Sequence, residues 1–219
     1  MQQAINAFLL GFPALFSIVN PISGALIFRG VAASRPDEEH ARLAKRVALY
    51  SLLVMMVALW AGSYVLAFFG ISLAALRVAG GTVIALSAWG LLTKPEQYEA
   101  VKEQQASTHK DVDDIALFPL TIPFTTGPGT ISVAVTLSAS RPKDLHELAG
   151  FFLGMTAAVL AMALVIWALF GSADRLSRLM GPTGSRTVTR ISAFLLLCIG
   201  VQILISGVQD VLGPMLSAR

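Results

Sequence analysis

Six apolar blocks, each about as long as a bilayer is thick, follow one another along the chain. They lie at about residues 4–28, 47–69, 72–92, 115–138, 148–170 and 188–211. Roughly 20 apolar residues let a helix cross the hydrocarbon core. A chain in lipid must close its own hydrogen bonds, and blocks this long are not strands. The expected fold class is therefore all-α: a polytopic membrane protein with six transmembrane helices. Composition agrees, since 55% of the 219 residues are hydrophobic and only 13% are charged. Soluble domains carry about a quarter charged residues. The net charge of +3 is small and scattered, which argues against a nucleic-acid partner.

The single cysteine, Cys198, lies within an apolar block, so neither a disulfide within the chain nor a zinc site can be drawn. It reads as a small helix-packing residue. The opening "MQQAINAFLLGFPALF" lacks a positive n-region and reads as the first span rather than a signal peptide.

Lys and Arg set the expected orientation. The first connection holds Arg29, Arg35, Arg42, Lys45 and Arg46; the third holds Lys94, Lys102 and Lys110; the fifth holds Arg175, Arg178 and Arg186. The other side has Arg141, Lys143 and Arg219, with Arg77 just inside a helix. The positive-inside rule then places both termini outside and the first, third and fifth connections in the cytoplasm. The third connection, "TKPEQYEAVKEQQASTHKDVDD", also carries six acidic residues and reads as a cytoplasmic linker. It divides one membrane domain, 1–219, into a first half at about 1–93, a linker at about 94–114 and a second half at about 115–219.

The halves share a pattern. "FSIVNPISGALIF" starts at Phe16 and "FPLTIPFTTGPGTIS" at Phe118. In both, a proline (Pro21, Pro123) follows the Phe by five residues, and a glycine (Gly24, Gly127) comes next. A lone arginine, Arg77 or Arg190, stands near the start of the third span of each half. Three spans is an odd number, so the halves enter the membrane with opposite polarity. Matched interruptions in inverted halves point to a transporter's binding site. The alternative is a pair of ordinary proline kinks. The second break's additional prolines and glycine favour the functional reading.

Chemistry at such breaks is specific. Proline interrupts the hydrogen-bond ladder and glycine allows the unwound turn. Helix restarts near Ala25 and Thr130 would expose N–H groups and a positive dipole end. Half-helices ending near Val19 and near Thr121 or Ile122 would expose carbonyls. A carboxylate fits the amides around Ser23 to Ala25 and Gly127 to Thr130. An ammonium fits the carbonyl ends, helped by Asn20 or Thr121. Thr125, Thr126 and Ser132 add hydroxyls. A zwitterionic amino acid presents both groups.

No Asp, Glu or Lys lies in the middle of a span. A cationic or dicarboxylic substrate would want a fixed counter-charge there. Arg77 and Arg190 are expected to steady the broken helices by donating to freed carbonyls. Proton coupling has no intramembrane carboxylate or histidine to use, whereas sodium coupling through oxygens, or no coupling, stays open. "GFFLG" (Gly150–Gly154) reads as close helix packing. Gln202 reads as interhelical polar support. No cofactor, metal ligand set, nucleophile–base pair or catalytic carboxylate pair is visible, so an enzyme is not expected.

"NPISGALIF", "PFTTGPGTIS", "ALRVAGGTVIAL" and "TRISAFLLLCIGVQILISGV" together resemble the MarC family of bacterial inner-membrane proteins, over nearly the whole chain. The resemblance implies six helices in inverted three-helix repeats and, for some members, transport of small neutral amino acids. The family's broken-helix motifs fall on Asn20, Pro21 and Gly24, and on Pro123, Gly127, Pro128 and Gly129; its arginines fall on Arg77 and Arg190. "FTTGPG" departs from the more apolar lead-in expected of many relatives, which bears on substrate preference. The expected function is secondary transport of glycine- or alanine-like amino acids by alternating access. The alternatives are a non-transporting regulatory or assembly protein and an exporter of other small solutes. The residues carry no reading of oligomeric state.

Overall fold

A computed structural model describes residues 1–32, 35–93, 112–139, 142 and 144–217. The linker at 94–111 therefore lies outside the described residues. Every regular element among them is helical: α1 (Gln2–Val19), α2 (Pro21–Ala32), α3 (Asp37–Phe68), α4 (Leu73–Thr93), the single turn α5 (Val112–Ile115), a π-helical segment (Ala116–Thr125), α6 (Pro128–Ala139), α7 (Leu145–Gly171) and α8 (Ala173–Ser217). Gly181, at φ 64°, interrupts α8 near its start.

Among the described residues, five stretches are long and apolar enough to cross a membrane: Gln2–Ala32, Glu38–Phe68, Leu73–Gly90, Glu147–Gly171 and Ala193–Leu212. The fourth expected span is not one continuous α-helix. It divides into the π-helical segment and the 12-residue α6. The reason is local: Pro119 and Pro123 cannot donate to an α-helical ladder. Phe118 and Ile122, the residues before them, adopt extended backbone angles, as residues preceding proline tend to do.

The helices pack in a defined set of pairs. α1 lies along α7, while the π-helical segment and α6 lie along α3. α2 touches α8, α6 touches α4, and α4 and α8 pair along their lengths. Small residues allow the closest approaches. A Cβ on Gly81 would sit 2.6 Å from the Leu204 nitrogen and 2.7 Å from the Gly200 carbonyl oxygen. A Cβ on Gly154 would sit 2.1 Å from the Ala4 oxygen, so the "GFFLG" pair brings α7 against the α1 backbone. Helices in lipid gain stability from such contact because hydrocarbon supplies no hydrophobic drive between them. The core that results includes Leu15, Phe28, Met55, Leu59, Met155, Met162 and Ile166.

Ion pairs pin two ends of the bundle. At one, Arg29 of α2 donates to Asp174 (3.1 Å) and to the Ser177 hydroxyl, and His40 of α3 faces the same carboxylate. At the other, Arg77 of α4 donates to Asp210 of α8.

Candidate functional site

The first break is made by asparagine. Asn20 adopts the left-handed conformation (φ 47°, ψ 63°) between α1 and α2, and its N–H closes α1 on the Phe16 carbonyl at 3.0 Å. Its own carbonyl accepts from the Gly24 N–H at 3.0 Å, and its Oδ1 faces the Ser23 N–H at 3.5 Å. Asn20 thus caps two helices at once, and its short polar side chain tolerates φ > 0 better than most residues. Gly24 was expected to supply the turn, but it lies inside α2, where its missing side chain leaves room for the Phe170 ring; a Cβ would come within 3.0 Å of it. Pro21 is not an interior breaker: it is the first residue of α2, where its missing N–H is harmless.

The second break is built similarly but with a different residue register. Pro128, not Pro123, is the counterpart of Pro21, because it opens α6 as Pro21 opens α2. In the preceding segment the backbone turns extended at Ile122 (φ −114°, ψ 119°), so the helix breaks near Thr121 and Ile122 as expected, and a further wide turn carries the chain on to Thr125. Its threonines stabilise the wide turns. The Thr121, Thr125 and Thr126 hydroxyls donate to the Ala116, Leu120 and Thr121 carbonyls at 2.6, 2.7 and 3.2 Å, each five residues back. The Thr126 N–H also bonds the Thr121 carbonyl, at 2.8 Å. These hydroxyl protons serve the backbone, and only the oxygen lone pairs remain to meet a ligand.

Both breaks open onto one cavity of about 360 Å³. Asn20, Ser23 and Gly24 line it from the first break; Thr125, Gly127, Pro128, Gly129 and Thr130 line it from the second. Ile18, Val19 and Ile27 close one side, Val83, Ile84 and Ala88 of α4 another, and Phe124 and Leu196 complete the wall. Seven expected site residues therefore meet around one space. Pro21, Thr121 and Thr126 are buried behind its wall, and the Pro123 side chain lies outside the description.

Asn20, Ser23, Thr125 and Thr130 bring polar side chains to this cavity, and backbone adds to them. Ile131 N–H already bonds the Gly127 carbonyl at 3.2 Å. The amides of Gly129 and Thr130, in the first turn of α6, have no carbonyl one turn earlier to bond. Ser23 is 7% exposed, and its hydroxyl oxygen is buried without a hydrogen-bond partner among the described residues. Buried hydroxyls are rarely left without one. Gly129 is a point of close approach rather than of unusual backbone: a Cβ there would lie 2.3 Å from Ile84 Cγ1. The apolar wall from α4 and α8 was missed in the sequence because nothing local marks Ile84 or Leu196 as facing a cavity.

The supporting residues are placed differently than expected. Arg77 donates to the Asp210 carboxylate, not to freed helix carbonyls, because the extended guanidinium reaches the charged group that α8 brings alongside. Arg190 is exposed. Gln202 and Arg77 line a second cavity. Ser132 donates to the Leu76 carbonyl at 3.4 Å instead of facing the first cavity.

The Asn20 geometry gives a direct prediction. Asn20→Val puts a β-branched residue at φ > 0 and is expected to cost about 1–2 kcal/mol of stability. Asn20→Gly keeps the turn and should unfold close to the wild-type temperature in detergent. Equal melting temperatures for the two variants would contradict this reading.

Comparison with known proteins places the chain. The model of the MarC family of integral membrane proteins matches residues 5–212. Inner membrane protein MarC of Salmonella paratyphi A is 31% identical over 218 residues, covering 97% of this chain and 98% of the relative. The Citrobacter koseri and Escherichia coli proteins of that name are 32% identical over 219 residues, with the same coverage. No solved structure matches the chain significantly. On the family match and the near-full-length identity together, this chain belongs to the MarC family of integral membrane proteins.

Proposed function

We propose that the protein is a secondary transporter that carries small neutral amino acids, glycine- or alanine-like, across the bacterial inner membrane. One observation carries the reading: two breaks far apart in sequence line a single cavity. Its volume of about 360 Å³ is near the lower end of small-molecule sites, which suits a compact solute. The α6 amides offer a seat for a carboxylate, with the positive end of the helix dipole behind them. Asn20, Ser23 and the threonine oxygens offer acceptors to an ammonium. The described residues of the wall include no charged side chain, so a net-charged solute would meet no counter-charge among them.

The halves are related by inversion in this reading, and the packing pairs support it. Exchange α1 and α2 for the π-helical segment and α6, α3 for α7, and α4 for α8. The packing of α1 on α7 becomes that of the π-helical segment and α6 on α3, α2 on α8 becomes α6 on α4, and α4 on α8 maps to itself. Rocking of one half against the other would expose the cavity to each side in turn. Contact of Arg29 and His40 with Asp174 and Ser177 holds the first and fifth connections at one end, in keeping with a shared cytoplasmic side and outward termini. The carrier acts without covalent chemistry.

Exchange across a membrane tests the proposal. Purified protein in liposomes preloaded with unlabelled glycine or alanine should accumulate the labelled amino acid above protein-free vesicles. Folded protein that exchanges no amino acid in a broad panel would leave the regulatory or assembly reading in its place.

A further inference from the structure

A second cavity, of about 280 Å³, lies against the same helices as the first. Into a largely apolar wall (Ala14, Val133, Leu137, Ile203) polar residues enter from three directions: Arg77 on α4, Ser132 and Thr136 on α6, and Gln202 and Ser206 on α8. Gln202, Ser206 and Asp210 recur every four residues and so form one stripe of α8. Arg77, which lines the cavity, bonds Asp210, which ends that stripe just beyond the lining residues. Polar side chains at membrane depth are costly and usually face a wet or protein-lined space. Gln202 is exposed, and its main-chain carbonyl accepts from the Ser206 hydroxyl at 2.9 Å.

The position of this cavity is equally informative. Arg77 precedes Ile84 of the first cavity by roughly 10 Å along α4. Ser132 and Thr136 follow Thr130 on α6, toward the end that the basic-residue pattern assigns to the outside. Close contacts separate the two spaces: Ile84 and Ile18 meet at Gly129, and Ser132 meets Gly80, where a Cβ would lie 2.8 Å from the serine Cβ. The Arg77 and Asp210 side chains are 21% and 42% exposed, so neither is sealed inside the packed helices.

We propose that this cavity is a second, outward-side station for a zwitterionic amino acid, recognised by the Arg77–Asp210 pair. The inference rests on the carrier reading and adds a site to it. An opposite-charge pair at the edge of a cavity can exchange partners with a zwitterion. The ligand carboxylate takes Arg77, the ligand ammonium takes Asp210, and every charge stays paired. A solute with one charge strands either Arg77 or Asp210, which is costly for a partly buried group. The pair thereby selects net-neutral amino acids before they reach the inner cavity, whose described lining residues carry no charge of their own. Gln202 and Ser206 present further polar groups to the ligand along the stripe.

Thiol protection tests this directly. In a Cys198→Ala background, Ser206→Cys and Thr136→Cys each place one thiol in the cavity wall. The full-length proteins are reacted with a water-soluble methanethiosulfonate, and the modification rate is read by mass. Glycine at about ten times its dissociation constant should slow modification about tenfold at both positions. Acetate or methylamine at the same concentration should protect far less. Adding Arg77→Gln or Asp210→Asn should remove the glycine protection while the thiols still react. Glycine that raises the melting temperature of the wild-type protein yet protects neither thiol overturns the second station and leaves the carrier reading standing. Glycine that neither stabilises nor protects overturns both. Thiols that fail to react at both positions, or that acetate protects as well as glycine does, also overturn the proposal.

Discussion

Gly129→Leu is expected to weaken amino-acid binding by at least about a hundredfold, or about 3 kcal/mol, while the protein still folds. Gly129 lies in the cavity wall, and the first atom of any side chain there meets Ile84 Cγ1 at 2.3 Å and Ile84 Cδ1 at 2.5 Å. Both are side-chain atoms at the edge of an open space, so the collision resolves by rotation of Ile84 into the cavity. The leucine body then covers the Gly129 and Thr130 amides that would receive a carboxylate. Gly129→Ala produces the same collision in milder form, and pairing it with Ile84→Ala should restore most of the affinity. Glycine affinity, measured by calorimetry on protein of unchanged helix content, checks both. Full affinity in Gly129→Leu would remove the α6 start from the site.

Gly81→Val has a larger effect of another kind. Its Cβ would strike the Leu204 nitrogen and the Gly200 oxygen, which are backbone atoms of α8 and cannot rotate away. α4 and α8 must separate, and their pairing is the most extensive helix contact in the bundle. Overpacking typically costs about 1–3 kcal/mol, and a backbone clash belongs at the upper end. We expect a sharp loss of monodisperse protein on extraction, or a melting temperature well below wild type, with no rescue by saturating glycine. A wild-type melting curve would mean that α4 and α8 do not approach as closely as described. The contrast separates two uses of glycine: at Gly129 space is kept for a ligand, and at Gly81 for another helix.

Much of this arrangement is legible in the sequence, and the part that is not has identifiable causes. Hydropathy marks the spans because twenty apolar residues in lipid leave little alternative to a helix. The two breaks were visible because proline and glycine rarely crowd a buried helix. Their internal assignment was not visible. Proline has two readings, as an interior breaker or as a first helical residue, and Pro21 and Pro128 take the second. A left-handed residue is normally sought at glycine, yet Asn20 supplies it. The π-helical hydrogen bonding around Thr121, Thr125 and Thr126 depends on side-chain donation five residues back, a spacing that hydropathy does not encode. The Arg77–Asp210 pair joins residues 133 positions apart, so no local pattern announces it. Ile84 and Leu196 face the cavity for a similar reason, since the packing of α4 and α8 decides which apolar side chains line it.

Equilibrium binding by the purified wild-type protein tests the central claim most directly. Labelled glycine and alanine should bind saturably, be displaced by each other, and not be displaced by lysine or glutamate. Absence of saturable binding for every neutral amino acid, in protein whose melting curve shows it to be folded, would contradict the claim that the paired breaks hold a small zwitterion.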